Sequence, residues 1–256
     1  MRQTALTIAG SDPSGGAGIQ ADIKVFHAFG VYGLAVPSAL TAQSTRGVSA
    51  VMAVPSAFFK AQLAELLDDI RPDAVKTGML LTRSAVETTA GFISSLSLKN
   101  LVIDPVLIST SGKRLLRADA LKAMVEKLFP LAALVTPNAA EAESLAGMKI
   151  RSEEDIAFAA GVILSMGPGA VLIKGGHLPG GSSVDYLADG VNVVRFTANR
   201  QLGIETHGTG CVLSAAITAC LARGISLTDA VADAKRFVTD AMYCAVPVGR
   251  GRVPIV

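Results

Sequence analysis

The feature that most limits the possible folds is a regular alternation, from Ser56 onward, of short apolar segments with longer amphipathic ones. The short segments have the length and composition of buried strands, at 73–77, 101–103, 133–135 and 170–173. The longer segments have helical spacing, at 57–70, 82–96 with Thr82 as cap, and 118–129. This order predicts a mostly parallel central sheet with helices on both faces, a three-layer α/β/α fold.

Polar side chains stand where these predicted strands end. Ligands of such sheets bind beyond the carboxyl ends of the strands, so these side chains are expected to meet. Carboxylates, an amide and lysines at neighbouring strand ends are typical of a site for a metal ion and phosphate. The residues are Lys76, Thr77, Asp104, Asn138 with Glu141, and Lys174.

The segment His207–Cys211 places Thr209 between two glycines immediately before a long apolar helix. Gly208 and Gly210 leave the backbone amides uncovered, and the helix dipole adds partial positive charge there. The segment therefore predicts an anion site, most simply for a phosphoryl group in transfer. Cys211 at the helix start is expected to have a lowered thiol pKa, unless it is only a small core residue.

A second glycine-rich loop, Gly10–Gly18, follows a predicted first strand at Thr4–Ala9 and precedes a helix. It is not a Walker A sequence, because no Lys-Ser/Thr pair follows Gly15-Gly16. It is a poor dinucleotide fingerprint, because no acidic residue ends the next strand. The loop fits either the close approach of another ligand or a simple tight turn. Asp22, one turn into the helix, fits either the solvent face or a ligand contact.

Two extended segments, Val31–Leu40 and Val48–Val54, predict a small β flap beside the main sheet. The polar connection Thr41–Gly47 joins them and carries Gln43 at its tip. A glutamine amide is both donor and acceptor, so Gln43 is a candidate to bind a heterocycle. The alternative is a solvated hairpin.

The C-terminal part predicts a hairpin at 183–196, helices at 210–222 and 227–245, and a tail at 246–256. Lys235, in the last helix, either reaches the anion loop or lies at the surface with its stem on apolar neighbours. No linker, repeat or low-complexity tract interrupts the chain. We therefore expect residues 1–256 to form a single domain.

Composition excludes several function classes. A net charge of +2 argues against a general nucleic-acid or acidic-membrane partner. No apolar run is long enough to span a membrane, and the N-terminus has no signal-peptide pattern. Three widely separated cysteines fit neither a disulfide framework nor a zinc site. We expect a cytoplasmic protein.

Taken together, the motifs resemble those of the hydroxymethylpyrimidine/phosphomethylpyrimidine kinases of thiamine biosynthesis, in the ribokinase-like superfamily. The resemblance covers nearly the whole chain and keeps the order of the motifs. They are Ala9–Asp22, Thr41-Ala42-Gln43, Val75–Met79, Asp104-Pro105-Val106, Thr136-Pro137-Asn138, Lys174–His177 and His207–Cys211.

The resemblance implies ATP-dependent phosphorylation of 4-amino-5-hydroxymethyl-2-methylpyrimidine to its monophosphate and then to the diphosphate. It also implies Mg²⁺ and a homodimer. In relatives, Asp often stands where this chain has Lys113, so the second phosphorylation is less directly supported than the first.

The resemblance also assigns roles to residues. Those implied for the pyrimidine are Gly10, Asp22, Gln43, Met79 and Val106. Those implied for ATP and its phosphates are Asp104, Asn138 and Lys174, with Glu141 ordering magnesium. The catalytic group comprises the anion hole of Gly208, Thr209 and Gly210, together with Cys211 and Lys235.

Relatives that phosphorylate sugars carry Asp, as general base, where this chain has Cys211. A thiol is a poor base unless its pKa is lowered. Because phosphoryl transfer has a loose transition state, we expect positioning and charge neutralisation to supply most of the rate acceleration.

Two other functions fit parts of this pattern. A pyridoxal kinase of the same superfamily would also bind a flat ring with a hydroxymethyl group, but Gln43 favours the aminopyrimidine. A non-catalytic pyrimidine sensor would not need an anion hole, a magnesium carboxylate and lysines together. A dehydrogenase is disfavoured, because the acid that binds the ribose is missing.

Overall fold

The computed structural model describes residues 2–107, 117–175, 182–199 and 205–256. Within these residues, nine strands form one sheet. In chain order they are β1 (Thr4–Ser11), β2 (Tyr32–Ser44), β3 (Gly47–Ala53), β4 (Ala74–Thr77), β5 (Leu101–Ile103), β6 (Leu134–Val135), β7 (Val171–Lys174), β8 (Ser182–Ala188) and β9 (Val193–Asn199).

Their order across the sheet is β3-β2-β1-β4-β5-β6-β7-β8-β9. Six neighbouring strands pair in parallel, namely β2, β1, β4, β5, β6 and β7. The strands β3, β8 and β9 are added antiparallel at the two edges. The carboxyl ends of the parallel strands therefore share one edge of the sheet, as the sequence predicts.

Helices cover both faces of this sheet. They are α1 (Gly18–Ala28), α2 (Ser56–Asp69), α3 (Arg83–Ser95), α4 (Ala118–Ala123), α5 (Ala139–Ala146), α6 (Glu153–Leu164), α7 (Thr209–Ala222) and α8 (Leu227–Tyr243). One apolar core lies between the sheet and α2 to α6, and a second lies between the sheet and α1, α7 and α8. The three-layer α/β/α prediction is confirmed.

Successive side chains of β1 and β4 point to opposite faces of the sheet, and this alternation determines which of them face α1 and α7. Leu6 and Ile8 enter the core beneath α2 to α6, and so does Val75. Thr7 and Lys76, which are register partners, lie between these positions and therefore face the other layer. A buried lysine is thus directed toward the helices that follow the two glycine loops.

The structure corrects the predicted helix at 118–129. Its α-helical part ends at Ala123, and a π-helical turn, Met124–Leu128, and a 3₁₀ turn, Phe129–Leu131, follow. Pro130 prevents a regular α-helix from continuing through this segment, because it has no amide hydrogen to donate to the carbonyl four residues earlier. Sequence reasoning also missed α5 and α6, although both begin with a capping box.

The flap is continuous with the main sheet. The first part of β2 pairs in parallel with β1, and its last residues pair antiparallel with β3. The turn is formed by Thr45 and Arg46, so Gln43 lies within β2 and not at the tip as predicted.

The predicted C-terminal tail is wrong for its last residues. Val253–Pro254 forms β11, which pairs in parallel with β10, Thr206–His207. Ile255 is only 6 % exposed and packs in the core with α1, α7 and α8.

Two residues named in the sequence analysis, Lys113 and His177, lie outside the described residues. No helix in the described part of the chain is long and apolar enough to cross a membrane.

If the last residues are part of the core, Ile255→Ala should lower the free energy of unfolding by about 2 kcal/mol or more. Val248→Ala is the matched control, because Val248 is 67 % exposed in the same segment; it should change stability by no more than about 0.5 kcal/mol. Urea unfolding measures both. Equal stability of the two variants would mean that the segment is a free tail.

Candidate active site

A cavity of about 1180 Å³ opens at the carboxyl ends of the parallel strands. Its walls come from both glycine loops, the flap, the ends of β4 to β7 and the start of α7. This volume is large enough for two ligands side by side. The predicted site residues on its walls are Gly10, Gln43, Met79, Asp104, Val106, Asn138, Glu141, Lys174, Gly208, Thr209, Gly210, Cys211 and Lys235.

The anion loop has the predicted geometry. Gly208 caps α7 in the left-handed conformation, at φ +83°. The first helical bond runs from the Val212 amide to the Gly208 carbonyl at 2.9 Å, and no described side chain caps this end. The amides of Thr209, Gly210 and Cys211 precede this bond, so they lie at the positive end of the helix dipole.

A second helix begins at the same place. The N-terminus of α1 at Gly18 also has no side-chain cap among the described residues. A Cβ atom on Gly208 would overlap the Gly16 carbonyl and lie 3.7 Å from the Cα atom of Ala17, so the starts of α1 and α7 adjoin. Two helix N-termini, which favour anions, therefore lie at one wall of the cavity, where the sequence predicts one.

The pKa of Cys211 corrects a prediction. We expected the amides to lower it, but burial raises the pKa of this thiol to about 11. The positive charge of Lys76 and the Gly18 hydrogen bond oppose this shift without cancelling it. Cys211 is therefore protonated at neutral pH and is a weak general base.

Asp22 does not border the cavity, and neither does Thr77 of the predicted strand-end group. Both Asp22 and Lys76 are fully buried. The Lys76 ammonium lies 2.8 Å from each carboxylate oxygen of Asp22, and the Thr7 hydroxyl donates to the same carboxylate at 2.6 Å. The solvent-face alternative for Asp22 is wrong, and this geometry leaves no room for a direct contact with a heterocycle.

Lys76 itself borders the cavity. Burial lowers the pKa of its ammonium, but the carboxylates of Asp22 and Asp104 raise it, and the net pKa lies above the ordinary value. Lys76 therefore stays charged, with Asp22 fixing its position behind the anion loop. Sequence reasoning placed Lys76 at a strand end but did not identify its partner.

A second charge cluster surrounds the ends of β5 and β7. Lys174 lies 3.0 Å from Asp104, whose other oxygen lies 3.3 Å from the Ser214 hydroxyl. Glu141 is buried beside them, and its oxygens accept from the backbone amides of Leu107 at 3.1 Å and Asn138 at 2.9 Å. Burial, assisted by Asp104, raises the pKa of Glu141, while Lys174 opposes that change.

Asn138 performs a structural task as well as bordering the cavity. Its side-chain oxygen accepts from the Glu141 amide at 2.9 Å, which completes the capping box of α5. The Asn-x-x-Glu spacing therefore fixes the start of a helix and turns the Glu141 carboxylate toward the cavity at the same time.

Lys235 borders the same cavity, and its ammonium is held in place by two residues of β8. Its ammonium lies 2.7 Å from Asp185 and 3.1 Å from the Ser183 hydroxyl. Because Lys235 is only 9 % exposed, the alternative of a surface lysine is wrong. Asp185, which sequence reasoning missed, also accepts from the Gly175 amide at 3.1 Å.

The opposite wall is mostly apolar. Met79 and Val106 form it, and a Cβ atom on Gly10 would overlap the Met79 side chain. Gln43 adds an amide to this wall and lies 3.1 Å from the ring of His207. Sequence reasoning did not assign roles to His207 or Asp12, which lie 3.2 Å apart at the edge of the cavity.

The raised Cys211 pKa gives a pH-dependent prediction. At neutral pH the thiolate fraction should be about 100-fold lower than for an ordinary thiol, because the pKa moves from 9.0 to about 11. Alkylation by iodoacetamide, mapped by mass spectrometry, should therefore keep accelerating at Cys211 toward pH 11. The exposed Cys244 is the internal reference. A rate at Cys211 that is already constant near neutral pH would contradict this assignment.

The chain is similar to known proteins over its full length. Residues 12–256 match the family described as phosphomethylpyrimidine kinase. The hydroxymethylpyrimidine/phosphomethylpyrimidine kinase of Rhizobium meliloti is 46 % identical, covering 100 % of this chain and 97 % of that protein. The thiamine biosynthesis bifunctional protein ThiED of Geobacter sulfurreducens is also 46 % identical over 99 % of this chain, but the chain spans only 52 % of that protein.

Two solved structures share the fold. The phosphomethylpyrimidine kinase of Clostridium difficile is 41 % identical, with a TM-score of 0.84 over 94 % of this chain and 100 % of that one. The pyridoxal kinase of Staphylococcus aureus in complex with AMP-PCP and pyridoxal is 36 % identical, with a TM-score of 0.92 over 100 % of this chain and 93 % of that one. The chain belongs to the phosphomethylpyrimidine kinase family.

Proposed function

We propose that this chain, as one domain, transfers the γ-phosphoryl group of ATP to the hydroxymethyl group of 4-amino-5-hydroxymethyl-2-methylpyrimidine, and then to the monophosphate, in thiamine biosynthesis. The observation that carries the proposal is the meeting of two helix N-termini, at Gly18 and Thr209, opposite an apolar wall that carries one amide. Curated relatives with 43–46 % identity over nearly the full chain carry this activity in their names.

The phosphate side of the reaction is assigned to fixed positive groups. The amides of Thr209, Gly210 and Cys211 receive the oxygens of the migrating group, and Lys76 adds positive charge behind them. Lys174 and Lys235 border the same cavity and contact the ATP phosphates. These groups are held in place before the reaction begins, so charge develops on the phosphoryl oxygens without reorganisation of the site.

The residues fit a magnesium ion held mainly by phosphates and water. Within the described ranges no three His, Cys, Asp or Glu side chains group as a metal cage. Glu141 and Asp104 offer carboxylates on the same cavity wall, and each Glu141 oxygen has a lone pair left after its one backbone bond. Kinase magnesium typically uses one or two carboxylates. The ion would neutralise the phosphate charge.

The ring side of the reaction is assigned to Gln43, with Met79 and Val106 as apolar contacts and Gly10 allowing the close approach. A glutamine amide pairs with a ring nitrogen and an adjacent amine together. Since Cys211 is protonated, the hydroxymethyl proton leaves late, as the new bond to phosphorus forms, and passes to an oxygen of the transferred phosphoryl group. Cys211 then orients the hydroxyl group and is not a strong base.

The flap supports the homodimer. Leu40 and Met52 are register partners on β2 and β3, and they are 43 % and 61 % exposed. Burial of such side chains against a second copy is favourable.

All three cysteines are unpaired, which fits the reducing cytoplasm.

Pyridoxal kinase is the second candidate. The pyridoxal kinase of Staphylococcus aureus matches this fold with a TM-score of 0.92, compared with 0.84 for the Clostridium difficile enzyme. The amide of Gln43 favours the aminopyrimidine, since that ring presents an acceptor beside an amine.

The test is turnover with magnesium-ATP on the free aminopyrimidine, its monophosphate and pyridoxal. We expect kcat/KM for the free aminopyrimidine to exceed that for pyridoxal by about tenfold or more, which corresponds to one net hydrogen bond. Glu141→Ala, purified identically, should lose turnover on every substrate and so exclude a contaminating kinase. A preference for pyridoxal would replace the proposed function with the second candidate.

A further inference from the structure

His207 lies where three elements of the site meet. It ends β10, it directly precedes Gly208 of the anion loop, and its ring lies on the first glycine loop. A Cβ atom on Gly16 would lie 2.8 Å from the ring, and Pro254 of β11 packs beside it. The side chain is 15 % exposed, so its orientation is fixed by packing.

The proton on the ring is fixed by Asp12. The Nε2 atom of His207 lies 3.2 Å from Oδ2 of Asp12. That carboxylate also accepts from the amides of Ser14 and Ala17, each at 2.9 Å, and from the Ser14 hydroxyl at 2.7 Å. Burial raises the pKa of Asp12, but these hydrogen bonds and His207 bring it below the ordinary value. An ionised carboxylate only accepts, so Nε2 of His207 must carry hydrogen.

The same nitrogen faces Gln43. The side-chain Nε2 atom of Gln43 lies 3.1 Å from Nε2 of His207. Both atoms would then be donors, since the amide nitrogen has no lone pair to accept with. When the amide is turned by 180°, its carbonyl oxygen faces the ring, and the single hydrogen on Nε2 is shared between this oxygen and Oδ2 of Asp12 in a three-centre hydrogen bond.

A second contact requires the same turn. The Thr41 hydroxyl has one hydrogen, which it donates to the Ser11 carbonyl at 2.8 Å. Its oxygen also lies 3.2 Å from the carbonyl oxygen of Gln43, and it has no hydrogen left for that bond. After the turn, the Gln43 nitrogen donates to Thr41. One change therefore gives both contacts of Gln43 a donor and an acceptor.

We propose that His207 is a specificity-determining positioning residue, which locks the Gln43 amide with its oxygen toward the imidazole and its nitrogen toward Thr41. The proposal rests on the proposed function, in which Gln43 binds the ring. The lock gives the remaining lone pair and the remaining N–H of the amide a fixed order along the cavity wall. A ring with an acceptor and an amine in the matching order is bound, and a ring without an amine loses a hydrogen bond.

The ring proton is tested directly by two-dimensional ¹H–¹⁵N correlation of the imidazole nitrogens in the ligand-free protein. The chain has three histidines, and His207→Gln assigns the signals of His207. We expect Nε2 of His207 to be protonated. An unprotonated Nε2, with hydrogen on Nδ1 alone, would overturn the proposal whatever the substrate.

The kinetic arm uses two variants at the same position. His207→Leu removes the donor, whereas the amide of His207→Gln can donate to both Asp12 and Gln43. We expect His207→Leu to raise KM for the aminopyrimidine about tenfold, the loss of one net hydrogen bond. KM for ATP should change little, and His207→Gln should restore most of the selectivity over pyridoxal.

His27→Gln is the control, because His27 is exposed in the last turn of α1. Equal increases in both KM values for His207→Leu, without rescue by His207→Gln, would show a purely structural role and contradict the proposal. If the proposed function itself is wrong, the wild-type protein will not phosphorylate the aminopyrimidine. That result is distinct from a failure of the His207 proposal, in which only the variants behave differently from expectation.

Discussion

The site depends on a contact between two stretches of backbone. Gly208, at the start of α7, is so close to Gly16 of the first glycine loop that a Cβ atom would overlap the Gly16 carbonyl. Its φ of +83° also excludes most other residues without strain. This approach brings the N-termini of α1 and α7 to one wall of the cavity. Together the two helices place more uncapped amides at this wall than either would alone.

Around this wall, positive charge is held by buried carboxylates. Lys76, Lys174 and Lys235 each form an ion pair, at 2.8, 3.0 and 2.7 Å. Removing one partner of a fully buried pair typically costs about 3–5 kcal/mol, since the other charge is left uncompensated. These pairs therefore fix the positions of the lysines more than they add stability. Asp22 therefore fixes the position of Lys76 without itself bordering the cavity.

Much of the fold was predictable from the sequence, because strand length and helical spacing are local properties. The polar residues at strand ends were also predictable, since parallel strands bring their carboxyl ends together. Helix α6 was missed although Ser152 and Asp155 form its capping box. The break after Ala123 was missed because the apolar spacing continues through it.

The site was predicted less completely, because its chemistry depends on long-range pairs. Nothing near Asp22 in the sequence indicates that Lys76 lies 2.8 Å away. The alternation along β4 gives only a partial signal, by placing Lys76 on the face of Thr7. The Cys211 pKa was predicted in the wrong direction, since the helix N-terminus is visible in the sequence whereas the burial of the sulfur is not. His207 was read only as the start of a motif.

The most direct test of the central claim is calorimetric binding of magnesium-AMP-PCP to Gly208→Ala and Gly224→Ala. Gly224, just past the other end of α7, has a similar φ of +78° but open space around its Cα. Both variants therefore carry the same backbone strain, and only Gly208→Ala separates the two helix starts. We predict that Gly208→Ala weakens binding about tenfold or more while Gly224→Ala binds like the wild type. Wild-type affinity in Gly208→Ala would contradict the account.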